Sequence, residues 1–108
     1  MKFNIQNSFI EYLPADENRE NISRQVKNAS YSYVNPKIPS KPSLIHYSDA
    51  LVTELGLTDA DINSQEFLNI FSGSKVYENS KPYAMCYAGH QFGHWAGQLG
   101  DGRAINLF

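Results

Sequence analysis

The chain has 108 residues, 42% of them hydrophobic and 19% charged, which is the composition of a globular domain with one small core and excludes an intrinsically disordered segment. Its formal net charge of −2, with lysine and arginine scattered from Lys2 to Arg103, excludes a nucleic-acid binder of the basic-patch type. The sequence contains neither a run of roughly 20 apolar residues nor the apolar core of a secretory signal, so we expect a cytoplasmic protein with no membrane and no nucleic-acid partner.

Residues 1–35 are polar, and we predict the segment 1–47 to be mostly extended and irregular. The alternation of Phe3, Ile5 and Phe9 with polar neighbours predicts a short strand. Apolar residues four apart within residues 18–28 predict a short helix.

Three prolines come shortly after Tyr31 and Tyr33, at Pro36, Pro39 and Pro42. Proline lacks a backbone donor and fixes φ, so this stretch cannot enter a central sheet. We expect it to cross the surface and to hold the two tyrosines against a core formed elsewhere.

Residues 48–73 are predicted to form short helices. Ser48 can cap a first helix that places Leu51 and Leu55 on one face, and Gly56 suits its C-terminal end.

A further turn is expected to begin at Thr58 or Asp59, and a second helix is predicted over residues 64–71, ending at Gly73. The side chains that this second helix is predicted to bury are Phe67, Leu68 and Phe71. Both helices are too short to persist in isolation, so tertiary packing must hold them.

Residues 82–108 carry almost no charge. We predict a strand over residues 83–87, a second strand over residues 103–108, and a glycine-rich connection between them. Cys86, the only cysteine, is expected to be buried and excludes an intramolecular disulfide. The predicted fold is α+β, with short helices packed on a small antiparallel sheet. Unpaired edges at residues 104–108 predict self-association.

The spacing of His90 and His94 is that of two ligands on one helix face, as in some zinc sites. Gln91 stands where a metalloprotease motif has glutamate, and the nearby Gly89 and Gly97 disfavour a helix. The alternative is that both histidines have structural roles, and no metal ligand is assigned in this chain.

Five of the seven glycines lie between Gly89 and Gly102. Within this run Gly89, Gly93 and Gly97 recur every four residues, which indicates close approach of backbone segments.

The sharpest element is the segment Gly100, Asp101, Gly102 and Arg103. Its glycines allow backbone N–H groups to converge on an anion, and the arginine can bind phosphate oxygens in a bidentate manner. The same residues also suit a tight hairpin turn in which Arg103 pairs with Asp101. The spacing alone leaves a phosphate-binding loop and a plain turn as alternatives.

The run YAGHQFGHWAGQLGDGRA resembles the signature of the selenoprotein O (YdiU) family. The resemblance continues upstream over short matches that cover nearly the whole chain: Asn7-Ser8-Phe9, Leu13-Pro14, Arg24-Gln25-Val26, Ala29-Ser30-Tyr31-Ser32, Pro36, Pro42 and Leu55-Gly56-Leu57.

The resemblance implies a kinase-like fold and a protein adenylyltransferase that transfers AMP from ATP to serine, threonine or tyrosine hydroxyls, with Mg²⁺ or Mn²⁺. It places Gly100, Asp101, Gly102 and Arg103 in the ATP-binding loop. The partners that it implies are ATP and protein substrates, and it leaves a mitochondrial parent open beside a bacterial cytoplasmic one.

A kinase-like site also needs a lysine on a strand after the glycine-rich loop, a carboxylate base and metal-binding Asn and Asp residues. The last lysine here is Lys81, upstream of the loop, so no catalytic residue is assigned. We therefore expect one partial domain over residues 1–108, part of an N-lobe, divided into 1–47, 48–73 and 82–108. This N-terminal piece of a longer enzyme is expected to be inactive alone.

The competing reading is an interaction module without catalysis. Its docking surface would consist of exposed aromatic side chains, namely Tyr31, Tyr33, Tyr77 and Trp95. A small metal-binding protein that uses the two histidines is a further alternative.

Overall fold

Two small sheets and four short helices lie within residues 1–22, 24–100 and 104–108, which are the residues that this computed structural model describes. The helices are α1 (Ser8–Tyr12), α2 (Asp49–Glu54), α3 (Asp59–Ile62) and α4 (Gln65–Phe71). The strands are β1 (Ala15–Asp16), β2 (Tyr31–Tyr33), β3 (Tyr83–Met85), β4 (Tyr87–Gln91) and β5 (His94–Gly100). One sheet has the order β1-β2-β3, with β1 parallel and β3 antiparallel to β2, and the other is the antiparallel pair β4-β5. The predicted α+β class is confirmed.

Tyr31, in the central strand of the larger sheet, is the most deeply buried aromatic residue, at 1% exposure. Its hydroxyl donates to the carbonyl of Ile10 at 2.8 Å and lies 3.3 Å from the hydroxyl of Tyr33. Burial, together with the Tyr33 hydroxyl, raises the pKa of Tyr31 to about 12, so the phenol stays neutral and can keep donating. The sequence predicts that Tyr31 lies against a core formed elsewhere. In the structure, Tyr31 is itself a central residue of the core.

Side-chain caps mark the starts of α2, α3 and α4, and the cap predicted at Ser48 is confirmed. Ser48, Thr58 and Ser64 each accept a hydrogen bond from a backbone N–H in the first turn of α2, α3 and α4. At Thr58 the cap is reciprocal, because the Asp61 carboxylate accepts from the Thr58 backbone N–H at 2.9 Å.

Helix α4 buries a different set of side chains from the predicted one. Phe67 and Ile70 are buried, Leu68 is half-buried, and Phe71 is 40% exposed. Ile70 and Phe71 lie three and four residues after Phe67, so both are near its face of the helix, and the packing buries Ile70. Phe71 instead contributes an edge to the ring of Phe3, with centroids 6.1 Å apart.

The predicted N-terminal strand is wrong. Phe9 lies in α1, where its ring stacks on Tyr83 at 5.3 Å. Phe3 stacks on Phe108 at 4.8 Å and also contacts Tyr77. Phe3 and Phe9 therefore pack into two separate aromatic clusters. In the described residues, no strand pairing forms in this N-terminal segment.

The helix predicted within residues 18–28 is also wrong for the described part of that segment. The Arg24 guanidinium donates to the carbonyls of Asn18, Glu20 and Ile22 at 2.9, 2.8 and 3.2 Å. These side-chain bonds satisfy carbonyls that a helix would have used internally, so they stabilise a non-helical loop.

Of the two strands predicted near the C-terminal end, the first is interrupted and the second does not form in the described residues. The strand expected over residues 83–87 is interrupted at Cys86, which is half-buried, and within it only Ala84 is buried. Residues 104–108 form no strand; Asn106 makes a single bridge to Tyr83, with N···O distances of 2.8 and 3.1 Å. Arg103, where the second strand was expected to begin, lies outside the described residues.

Among the described helices, not one combines the length and the apolar character that crossing a membrane would require.

Candidate functional site

The glycine-rich run, predicted to be a connection between two strands, itself forms a β-hairpin. Strands β4 and β5 pair with each other, and Gln91 faces His94 across a two-residue turn. The turn residues Phe92 and Gly93 have φ of 51° and 84°. Positive φ at both central residues is the geometry of the tight turns that match the twist of a hairpin.

Strand β5 carries extra residues relative to β4. Ala88 pairs with Gln98 and His90 pairs with Trp95, so Gly89 faces two residues of β5, the second of which is Gly97 at φ 76°. A second irregularity follows between Ala88 and Tyr87. Such bulges bend and twist a strand, and they occur often beside functional sites.

The glycines of the hairpin are needed mainly for the backbone conformations that they allow, and less for close contact with neighbouring atoms. A Cβ added at Gly93 or Gly97 would meet no atom within 4 Å, whereas both residues have positive φ. Among Gly89, Gly93 and Gly97, only Gly89 is a position where an added Cβ would meet a neighbour, the Tyr87 hydroxyl at 3.2 Å. The expected close approach of backbone segments is therefore wrong for Gly93 and Gly97.

Gln98 joins the hairpin to the rest of the described structure. Its Oε1 accepts from the Val26 N–H at 2.6 Å, and its Nε2 donates to the Val26 carbonyl at 2.9 Å. The side chain thus reproduces both bonds of a sheet pairing with a residue 72 positions away. No local sequence signal connects the two residues, so the role of Gln98 cannot be predicted from the sequence.

A cavity of about 330 Å³ lies beside this junction. It is bounded by the hairpin, the β2-β3 sheet and the loop that precedes β2, with lining side chains that include Gln98, Val26, Arg24, Ser32, Met85 and Cys86. The mixture of polar and apolar lining suits a small molecule held by a few directed bonds.

The charged pair at the edge of this cavity is already engaged. Asp16 forms an ion pair with Arg24 and accepts from the Ser32 hydroxyl at 3.1 Å. Partial desolvation acts to raise the pKa of the Asp16 carboxyl, but hydrogen bonds from the Asn18 backbone, Arg24 and Ser32 outweigh it and lower the pKa. The carboxylate therefore stays ionised and holds Arg24 in the loop.

A second cavity, of about 300 Å³, is more cationic and shares Tyr33 with the first. Arg19 and Lys81 line it, and the Arg19 guanidinium carbon lies 4.1 Å from the centroid of the Tyr33 ring. This cation–π contact orients Arg19 over the aromatic ring.

The residues predicted to bind nucleotide begin where β5 ends. Gly100 is the last residue of β5, and its backbone faces Tyr87 at the open end of the hairpin. Asp101, Gly102 and Arg103 lie outside the described residues. The hairpin thus leads into the predicted loop, and the choice between a phosphate-binding loop and a plain turn there stays a prediction.

His90 and His94 do not share a helix face. They lie on opposite strands, and because His90 pairs with Trp95 while His94 pairs with Gln91, alternation directs the two imidazoles to opposite faces of the hairpin. His90 instead packs edge-on against Trp95, with ring centroids 5.0 Å apart. No group of three or more His, Cys, Asp or Glu residues within the described ranges is placed to hold a metal ion.

The predicted aromatic docking surface is not assembled as proposed. Tyr31 is buried, and Tyr77 packs against Phe3 with centroids 5.4 Å apart, its hydroxyl accepting from the Phe3 backbone N–H at 3.1 Å. Trp95, 59% exposed, lies on the separate hairpin.

Substituting Gln98 with leucine is expected to loosen the hairpin. The change removes both hydrogen bonds to Val26 and leaves the part-buried N–H and carbonyl of Val26 without these partners. We expect the local stability of the hairpin to fall by about 1–3 kcal/mol. Amide hydrogen exchange in β4 and β5 should accelerate at least about fivefold. Gln91→Leu, on an exposed residue next to the turn, is the matched control. Equal exchange in the two variants would show that Gln98 does not anchor the hairpin.

Comparison with known proteins supplies the family. The family model described as "Protein adenylyltransferase SelO" matches residues 15–108. Curated relatives named "Protein nucleotidyltransferase YdiU" include proteins from three bacteria. The protein from Flavobacterium johnsoniae is 58% identical over 103 residues, that from Azoarcus sp. is 50% identical and that from Aromatoleum aromaticum is 48% identical. Each match covers 95% of this chain and 20% of the relative.

The chain therefore spans about a fifth of the length of these relatives. The family match runs through the hairpin and the predicted loop to the last residue, and the identity extends over nearly the whole chain. The chain belongs to the SelO family of protein adenylyltransferases.

Proposed function

We propose that this chain supplies the ATP-binding loop of a protein adenylyltransferase, with Gly100, Asp101, Gly102 and Arg103 as its nucleotide contacts. The observation that carries the proposal is the twice-bulged hairpin, which belongs to a SelO-family chain and ends at Gly100. Strands that bend next to a glycine-rich segment can bring backbone N–H groups close to a ligand.

The chemistry fits the residue types. In AMP transfer a protein hydroxyl attacks the α-phosphorus of ATP, the new P–O bond forms, and the bond to pyrophosphate breaks. The reaction needs the phosphates to be held in line and their charge to be neutralised. Backbone N–H groups at Gly100 and Gly102 would hold phosphate oxygens, and the Arg103 guanidinium would bind two of them at once.

The divalent ion that the family implies does not fit the described residues, which offer no cluster of three or more metal-binding side chains. We propose that its ligands, and the catalytic base, belong to the part of the polypeptide that this chain does not span, and that the chain is therefore inactive alone.

We further propose that the chain is a single partial domain from the N-lobe of a kinase-like fold. The α+β architecture, with a β-hairpin that carries glycines and adjoins a small sheet, supports this assignment. Serine, threonine and tyrosine hydroxyls of proteins are the proposed acceptors, in keeping with the family description.

Calorimetric titration of the chain with ATP and Mg²⁺ tests the loop. We expect binding that weakens at least about tenfold in Arg103→Ala, because a bidentate bond between charged groups is lost. Lys75→Ala removes a positive charge from an exposed side chain and is the matched control. Binding that Arg103→Ala leaves unchanged would contradict the assignment, and no detectable binding by the chain would leave it a scaffold without a preformed loop.

A further inference from the structure

Helix α2 has an apolar face with no partner in the described structure. Ser48 caps the helix, and Leu51 and Leu55 lie four residues apart on one face. Leu51 is 53% exposed, Leu55 is 43% exposed, and no residue of α2 is buried. A six-residue helix is not stable by itself in water, so a cap and an apolar pair of this kind indicate a packing partner.

The exposure extends along the chain before the helix. Every residue from 43 to 51 is exposed, and Ile45, at 95%, is almost fully in solvent. Together the large apolar side chains of this stretch define the 44–55 surface: Leu44, Ile45, Tyr47, Leu51 and Leu55. Single exposed apolar residues are ordinary, but five within twelve positions favour an interaction site.

The charged side chains within the segment that forms this surface are all acidic. No lysine or arginine occurs between Lys41 and Lys75, whereas Asp49 and Glu54 lie on α2 itself. A partner that covers the 44–55 surface would therefore present an apolar patch with basic residues at its rim.

We propose that the 44–55 surface packs against the part of the SelO polypeptide that lies outside the matched fifth. The relatives are about five times as long as this chain, so most of the contacts available to the chain in the whole protein are absent from the structure. The inference rests on membership of the family and not on the ATP-binding loop, so it can fail while the loop assignment holds.

Hydrogen exchange of α2 tests this proposal. A chimera is made in which this chain replaces the matched fifth of the Flavobacterium johnsoniae protein, and exchange is compared with that of the chain alone. We expect the α2 amides to exchange at least about tenfold more slowly in the chimera, since a packed helix opens less often. Should the chimera fail to fold, the remainder of the relative is added as a separate polypeptide. Absence of protection in both forms overturns the proposal.

The double variant Leu51→Ser with Leu55→Ser identifies the face. It should abolish the protection of the α2 amides in the chimera. In the isolated chain, the urea midpoint of this variant should equal that of the control within error. Ala50→Ser with Glu54→Gln changes α2 outside the apolar pair and is that control. Protection that survives the leucine variant would overturn the proposal, as would a leucine-dependent dimer of the chain in light scattering, because a second copy would then cover the surface.

Discussion

Replacing Gly102 with valine in a full-length SelO protein that carries this chain is expected to lower AMP transfer by at least about 100-fold while leaving the fold nearly intact. In the proposed loop the backbone at Gly102 approaches the phosphates, and a branched side chain there would crowd them. Valine is also restricted in the backbone conformations that a glycine loop uses. The measurement is incorporation of labelled AMP into protein, with circular dichroism to follow folding.

Ala104→Val is the matched control for this substitution. It introduces the same side chain two residues away, at a position that is exposed. We expect this variant to retain most of the activity. A wild-type rate in Gly102→Val would remove the loop from the mechanism, whatever the control shows.

Substituting Gly73 with alanine is expected to destabilise the chain by about 2–5 kcal/mol, the largest stability effect that we foresee. Gly73 has φ of 79°, and a Cβ there would lie 2.8 Å from the Cβ of Pro36. The left-handed conformation disfavours any side chain, and the rigid proline ring cannot move aside without shifting the segment that follows β2. Urea denaturation monitored by circular dichroism measures the loss.

Gly56→Ala separates the two contributions. Gly56 has φ of 67° but no atom within 4 Å of an added Cβ, so only the backbone term of about 1–2 kcal/mol applies. Both substitutions change the unfolded chain in the same way, so the difference between them reports the contact with Pro36. Equal losses in the two variants would mean that the Pro36 contact relaxes without penalty.

The helices that begin at Ser48, Thr58 and Ser64 could be predicted because a cap is a local device. The hydroxyl and the N–H that it accepts from are three residues apart, so the sequence contains both partners within one turn. Burial was harder to predict. Phe71 is as apolar as Phe67, and only the packing decided that Ile70 would be buried and Phe71 partly exposed.

The hairpin at the candidate site could not be predicted from its turn. Tight hairpin turns favour asparagine or glycine at the first central residue, whereas Phe92 occupies that position with φ of 51°. The glycine content pointed correctly to unusual backbone, but only the register of β4 on β5 shows where Gly97 accommodates a bulge.

The sequence by itself determined the family, through a glycine-rich run and matches along nearly the whole chain, and it determined where the capped helices begin. Tertiary structure decided the order β1-β2-β3, the junction of Gln98 with Val26 and the exposure of the 44–55 surface. The physical reason is distance along the chain. Caps join neighbours, whereas these pairings join residues whose separation, 72 positions for Gln98 and Val26, carries no local signal.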